Sequence, residues 1–398
     1  MFAPVDVRAG RALGARLRVA GRVVESTGRE IWLADHCATL ALSLEADAAV
    51  ARGAWLLVEG RLHEGALFDA KVVEQHVPRE PGTSPETQRL LWQGVGRHLE
   101  QRARGLDAVR AYFAAEHFCE VDTPLRVRTP GLDVHVEALS AADGYLITSP
   151  EFHMKRLLGA GMPRIFQLVH ASRADEAGPL HEPEFMMLEW YRAFSDSNAM
   201  LRDTEQIVRA VVRTVNGGAA LSLPGGALLD VEPPYERLSV REAFARYAGV
   251  ADAVELANRD ENRYFELLVG KVEPALARWN RPVFLCEYPL RHASLARAAP
   301  HDPSVAERFE LYAAGVELCN GFAELTDPDE QRARFERDLE ERKAHGRALY
   351  PIDEKFLAAL SAGLPPCTGN ALGFDRLLML ACGAARIADV QAFPAEHV

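Results

Sequence analysis

A run with three prolines and almost no apolar side chains, PREPGTSPE at residues 78–86, separates two stretches of different hydrophobic period. Proline at this density removes backbone donors and constrains the residues before it, so the run reads as a linker rather than part of a regular element. It divides the chain into an expected domain at 1–77, a linker at 78–88 and a second domain at 89–398.

Upstream, the pattern is ARLRVAGRVV, EIWLAD, ATLALSL, AWLLVEGRL and FDAKVVEQHV, short alternating or apolar runs punctuated by glycine and polar clusters. Five such runs predict five short strands. A small closed β-barrel of the OB type solves their edge problem, and another five-stranded β module is the alternative. Trp32, Trp55 and Phe68 could stack on nucleic-acid bases or fill the barrel's core.

Downstream, apolar residues at helical spacing through Val109, Tyr112 and Phe113 predict a long helix leading into a strand-like segment, CEVDTPL, that stops at Pro124. Strand-like runs recur at GYLITS, RIFQLVH, FMMLEWYRAF, RPVFLCEYP and GVELCNGFAEL, with helical stretches at 198–215 and 329–345. The spacing is irregular. It predicts an α+β domain built on a mostly antiparallel sheet flanked by helices, not a doubly wound parallel one.

The composition excludes several classes. The 48% hydrophobic content of the 398 residues suits globular domains. No window approaches eighteen consecutive apolar residues and the N-terminus lacks a secretory apolar core, so neither a membrane association nor a cleaved leader is expected. The six cysteines form no CxxC pair and suggest neither disulfides nor a structural metal, which fits the reducing cytoplasm. A net charge of −12 argues against bulk affinity for nucleic acid, and the ten Arg/Lys against eleven Asp/Glu in residues 1–80 leave the barrel about neutral.

Three distant segments carry chemistry. SRADEAGPLHEPEF, at residues 172–185, loads a hairpin tip with charge around Arg173, Asp175, Glu176, His181 and Phe185. In ERFELYAAGVELCNGFAELTDP, Glu310, Glu317 and Glu324 recur every seven residues. One reading is a solvated helix stripe; the other, favoured by the intervening glycines, is extended chain whose carboxylates need cations on a sheet face. In CTGNALGFDRLLML, Arg376 follows a Gly-rich strand at the start of a helix, where it could bind a phosphate or serve as a structural salt-bridge partner.

Together these segments resemble motifs 1, 2 and 3 of the class II aminoacyl-tRNA synthetases: FCEVDTPL, SRADEAGPLHEPEFMMLEW and GNALGFDRLLML. SPEFHMKRLL, VELCNGFAELTDP and LPPCTGNALGFDR are similar to the lysyl branch. Within it, TSPEFHMKRLLGAG and the long run ALYPIDEKFLAALSAGLPPCTGNALGFDR lean toward the elongation factor P lysine ligases, which also share Ala371 where lysyl-tRNA synthetases carry glycine. The N-terminal barrel is a feature of the tRNA-charging enzymes that the ligase group usually lacks.

The resemblance implies activation of lysine or a lysine-like amino acid by ATP with Mg²⁺, then transfer to a lysine of elongation factor P. A tRNA-charging enzyme and a non-catalytic regulatory paralogue remain as alternatives. It implies catalytic roles for Arg173 and Arg376 at the ATP phosphates, with Asp175, His181 and Phe185 also on ATP and Glu310 and Glu317 on the metal. Glu151, Glu189, Tyr191, Asn320, Glu324 and Ala371 would surround the amino acid, and motif 1 would form a homodimer interface. By themselves, Glu151 could cap a helix and Tyr191 could be core.

The loop departs from the family pattern in three places. Arg173-Ala174-Asp175 replaces Arg-x-Glu, Pro179 and Leu180 stand where an arginine is usual, and Glu182 replaces an asparagine. The shorter Asp175 reaches less far toward the adenine, and the lost arginine and the added acid are both expected to weaken triphosphate binding.

Overall fold

The computed structural model describes residues 1–12, 16–79, 84–223, 226–293 and 295–398. Residue 15, expected to open the first barrel strand, and residues 80–83 of the expected linker lie outside these. Two compact units result, Met1–Gln101 and Arg102–Val398.

In the first unit, β1 (Arg16–Thr27), β2 (Glu30–Ala34), β3 (Thr39–Leu44), β4 (Trp55–His63) and β5 (Ala66–His76) close into a barrel in the order β1-β2-β3-β5-β4. The period-two pattern turns Leu17, Val19, Val23, Ile31, Leu33, Leu56 and Val58 inward to a dry core. The same alternation puts Trp55 and Phe68 outside, 44% and 45% exposed, so neither is a core residue; Arg22 lies 5.2 Å from the Trp55 ring centre. Trp32 is half-buried.

The prolines of the 78–86 run do not all break structure. Pro85 begins a helix, Pro85–Trp92, whose N-cap Ser84 accepts from the Thr87 amide at 3.2 Å. Proline at this position removes an amide that has no partner within the helix anyway. A turn at Gly94, with φ of +84°, separates it from the helix Val95–Ala115, so the long helical pattern is two helices. No cysteine is disulfide-bonded. Among the described residues one group of three metal-capable side chains assembles, His36, Cys37 and Glu100, with ligand atoms within 4.8 Å.

In the second unit the eight-stranded sheet is built from β6 (Cys119–Glu120), β7 (Arg164–Ser172), β8 (Glu184–Ala193), β9 (Glu236–Ser239), β10 (Val283–Cys286), β11 (Arg308–Ala313), β12 (Val316–Ala323) and β13 (Cys367–Gly373). Their order is β9-β10-β11-β12-β13-β8-β7-β6, with parallel pairing only at the two outer pairs, β9-β10 and β7-β6. The CEVDTPL segment contributes only the two-residue β6, and β11 was not distinguished by sequence pattern.

One sheet face carries Leu188, Trp190, Leu311 and Leu372, fully buried with Val208, Val211, Val212, Phe374 and Leu378. Those side chains come from the helices Ser197–Asn216 and Phe374–Cys382. Burying each stabilises the fold by about 1.5–3 kcal/mol before entropy is counted. Hydrophobic packing on this face leaves the opposite face free for polar groups. No helix among the described residues is long and apolar enough to cross a membrane.

Candidate active site

The polar face is assembled by strand register. Glu189 on β8 pairs across with Ala371 on β13, Ala371 with Asn320 on β12, and Asn320 with Glu310 on β11. Directly opposed residues share a face, so four residues far apart in sequence form one row. Two positions along, Tyr191 stands opposite Gly369, and Gly369 opposite Phe322. Positions 369, 371 and 373 of β13 are therefore Gly, Ala and Gly on the cavity side, while Thr368, Asn370 and Leu372 are buried behind them. A methyl at 369 would overlap the Tyr191 ring and Glu324 Oε1. The glycine makes room for two side chains of the site.

At one end of the cavity the groups are acidic. Glu189 is 1% exposed; its carboxylate accepts from the Tyr191 hydroxyl at 2.5 Å and the Ser149 hydroxyl at 3.0 Å. Burial, reinforced by Glu151, pushes it up to about 8. Glu324 lies 2.5 Å from Lys155 Nζ through Oε2, while Oε1 has no hydrogen-bond partner. Burial outweighs the lysine and pushes Glu324 up to about 8 as well. Glu151 starts the helix Glu151–Gly159 without capping it; its Oε1 lies 2.6 Å from Lys155 Nζ.

At the other end two guanidinium groups, of Arg173 and Arg376, stand among carboxylates. Arg173 Nε is buried with no partner, and the guanidinium lies 5.2 Å from the Phe185 ring centre. Arg376 donates to Leu180 O at 3.1 Å, Glu317 O at 2.9 Å and His181 Nε2 at 2.7 Å. The last bond makes Nε2 an acceptor, which places the imidazole proton on Nδ1. Burial and the Arg376 charge hold His181 below its ordinary value and keep it neutral. Glu317, half-buried beside Arg376 at 3.7 Å, is pushed up to about 7 by burial and by Glu310. A cavity of about 190 Å³ joins the two ends, with Glu151, Glu189 and Glu324 at one and Arg173 and Arg376, accompanied by Glu176 and Glu317, at the other.

A family model for the class II tRNA synthetases of the D, K and N type matches residues 88–397. The chain belongs to the class II tRNA synthetase family. It is 43% identical over 313 residues to the elongation factor P–(R)-β-lysine ligase of Proteus mirabilis, covering 75% of this chain and 94% of that one. The Pectobacterium atrosepticum enzyme of that name is 42% identical over 316 residues, with 75% and 95% covered. The Yersinia pestis enzyme is 41% identical over 312 residues, with 75% and 94% covered.

Eleven of the thirteen residues singled out from the sequence line the cavity of this class II synthetase; Asp175 and Glu310 do not. Asp175 is exposed in a left-handed turn with φ of +63°, and its neighbour Glu176 lines the cavity instead, 3.6 Å from Arg173. Glu310 is buried on β11: its Oε1 accepts from Arg308 at 2.6 Å, and its Oε2 from Tyr288 at 2.5 Å and Tyr312 at 2.8 Å. Three of its four acceptor sites are taken.

Glu310, Glu317 and Glu324 thus share no single stripe. Glu310 and Glu317 lie near one another at the arginine end, and Glu324 belongs to the acidic end. Two of the loop departures have local hydrogen-bond partners. Leu180 supplies a carbonyl to Arg376 Nε, and Glu182 Oε2 accepts from the Ala395 amide at 3.0 Å. Tyr191 is 2% exposed in an apolar cluster, and its hydroxyl donates to Glu189. Lys155, which the sequence reading passed over, sits between two of the candidate carboxylates.

Proposed function

We propose that this class II synthetase is an AMP-forming ligase that activates a lysine-like diamino acid with ATP and transfers it to a lysine of elongation factor P. The observation that carries the reading is the polarised cavity. A diamino acid offers ammonium groups for the Glu151, Glu189 and Glu324 end, and its carboxylate faces the Arg173 and Arg376 end. The (R)-β-lysine of the relatives' names is the first amino acid to test. The organisation that goes with this reading is a barrel at 1–77, a linker at 78–88 and a catalytic domain at 89–398, working as a homodimer through motif 1.

In the reaction, a carboxylate oxygen of the amino acid attacks the α-phosphorus of ATP and pyrophosphate leaves. The lysine amine of the acceptor then attacks the activated carbonyl and AMP leaves. Negative charge accumulates on phosphate oxygens in the first step, so preorganised donors there matter most. Arg173, with its unpartnered Nε, holds the α-phosphate and the substrate carboxylate. Arg376 holds the γ-phosphate and keeps the loop closed through Leu180 and His181, while His181 meets the outer phosphates. Phe185 stacks on the adenine.

Glu151 takes the amino group nearest the reacting carboxylate. Glu189, Tyr191 and Glu324 take the distal amine, Asn320 adds a polar contact, and Ala371 shapes the floor between them. The residues present fit Mg²⁺ chiefly through Glu317, which faces the cavity, with Glu310 offering its one remaining acceptor site. A divalent ion held by one or two carboxylates and substrate phosphates is the usual arrangement, and it would neutralise developing phosphate charge. Asp175 has no place in this set.

The test is amino-acid-dependent exchange of labelled pyrophosphate into ATP with lysine, both β-lysine enantiomers and ornithine, followed by mass analysis of elongation factor P. Exchange with a diamino acid and a factor heavier by one aminoacyl unit are expected. Exchange without modification of the factor would move the acceptor to tRNA, the reading that the exposed Trp55 and Phe68 of the barrel favour.

A further inference from the structure

Lys155 is fully buried, yet it does not line the cavity. It lies four residues after Glu151, on the same face of the helix Glu151–Gly159. Its Nζ is 2.6 Å from Glu151 Oε1 and 2.5 Å from Glu324 Oε2. The Phe322 and Phe356 rings cover it, their centres 5.3 and 5.8 Å away. A buried ammonium in this setting is fixed on all sides, because moving it strands a charge in an apolar enclosure.

The charge count around it is informative. Three carboxylates converge on the acidic end, Glu151 from the helix, Glu189 from β8 and Glu324 from the end of β12. Tyr191 on β8 and Cys367 on β13 also face them, and both are neutral at ordinary pH, while Asp133 lines the cavity beside Ser149 and Glu151. With all three carboxylates ionised, the single ammonium of Lys155 leaves two negative charges. A lysine-like substrate brings two ammonium groups.

We propose that Lys155 is a positioning residue that pins Glu151 and Glu324 and cancels one of the three pocket charges, so that two substrate ammonium groups complete the balance. This deepens the proposed function and rests on it. An amino acid with one amine leaves a buried carboxylate uncompensated, which can be occupied only in its protonated form. A diamino acid instead displaces protons from the pocket. Burial alone would push Lys155 down, but the two carboxylates overcome it and hold the ammonium above its ordinary value. The residue therefore stays charged throughout.

The experiment compares wild type with Lys155→Met, which keeps length and apolar packing and removes the charge. The readouts are the pH dependence of kcat/KM for the diamino acid in pyrophosphate exchange and the KM for ATP. Without its cation Glu324 holds its proton to higher pH, so the acid limb moves up by about one pH unit or more while the ATP KM changes less than about threefold. The double variant Lys155→Met/Glu324→Gln restores the count and brings the limb back toward wild type.

An unmoved limb in the single variant, or equal losses toward ATP and amino acid, would overturn the inference and leave the proposed function intact. Wild-type enzyme that exchanges with no diamino acid would overturn both. Should the single variant melt too early to assay, the double variant decides: a limb near the wild-type position upholds the count, and a limb displaced by about one unit refutes it.

Discussion

Gly369→Ala is the most direct test of how the cavity is built. The residue sits mid-strand in β13, between Tyr191 on β8 and Phe322 on β12. Its added methyl would lie 2.6 Å from Tyr191 Cδ1 and overlap Tyr191 Cε1 and Glu324 Oε1. Neither neighbour yields easily, since Tyr191 is 2% exposed and Glu324 is tied to Lys155. Overpacking of this kind costs about 1–3 kcal/mol, which at roughly 2–4 °C per kcal/mol lowers the melting temperature by several degrees. Displacing the Glu324 carboxylate also weakens a charge-assisted contact to the distal amine worth about 1.5–3 kcal/mol, or roughly 10–150-fold in amino-acid KM. Gly373→Ala on the same face of the same strand is the control: its methyl meets the Arg376 side chain, nearest at Cδ at 3.5 Å, in ordinary contact. Melting at a fixed scan rate and exchange kinetics on both variants give the comparison. Gly369→Ala with the control's KM and melting temperature would refute the claim that this glycine makes room for the acidic end.

Arg173→Ala should lower the exchange rate by roughly 10²–10³-fold, as loss of a donor aimed at developing charge does, while leaving the melting temperature unchanged or higher because an unpartnered buried Nε is removed. Retained exchange would sink its assigned role. Ala371→Gly should change the relative kcat/KM for α- and β-lysine by about 1–3 kcal/mol at most, measured by competition; an unchanged ratio would remove Ala371 from the specificity set. Glu189 and Glu324, raised from 4.5 to about 8, make the free folded protein bind more protons than the unfolded chain, so its stability falls as pH rises across that window. A diamino acid that replaces those protons should raise the melting temperature more at about pH 8.5 than at about pH 6.5, and equal protection at both would refute the protonated pocket.

Much of the fold was legible because the information is local. The barrel strands show the period-two alternation that encloses Leu17, Val19 and Val23. The helix at 197–216 carries its Asp196 cap and its valine stripe in the sequence. Where local signals compete, the sequence was less clear. Pro85 reads as a breaker in a proline-rich run, yet with Ser84 before it the same residue starts a helix. Gly94 has no apolar pattern to distinguish it from the tolerated Gly105 inside the following helix, so one helix was expected where two occur. The exposed Trp55 follows from strand phase, which composition alone does not reveal.

The site was legible where side chains project from strands and obscure where loops or partners decide. Glu189, Ala371 and Asn320 meet because antiparallel register puts them in one row. Glu310 obeys the same register, but Arg308, Tyr288 and Tyr312 claim its carboxylate first. Asp175 depends on a single left-handed turn, and one dihedral exchanges it for Glu176. Lys155 left one trace, an acid and a lysine four apart in EFHMK, and that pattern on an exposed helix is worth only a few tenths of a kcal/mol. Its weight here comes from Glu324, 169 positions later and delivered by the sheet. The charge of a buried pocket is a property of the whole set, and an i,i+4 pair acquires functional meaning only when the third carboxylate arrives.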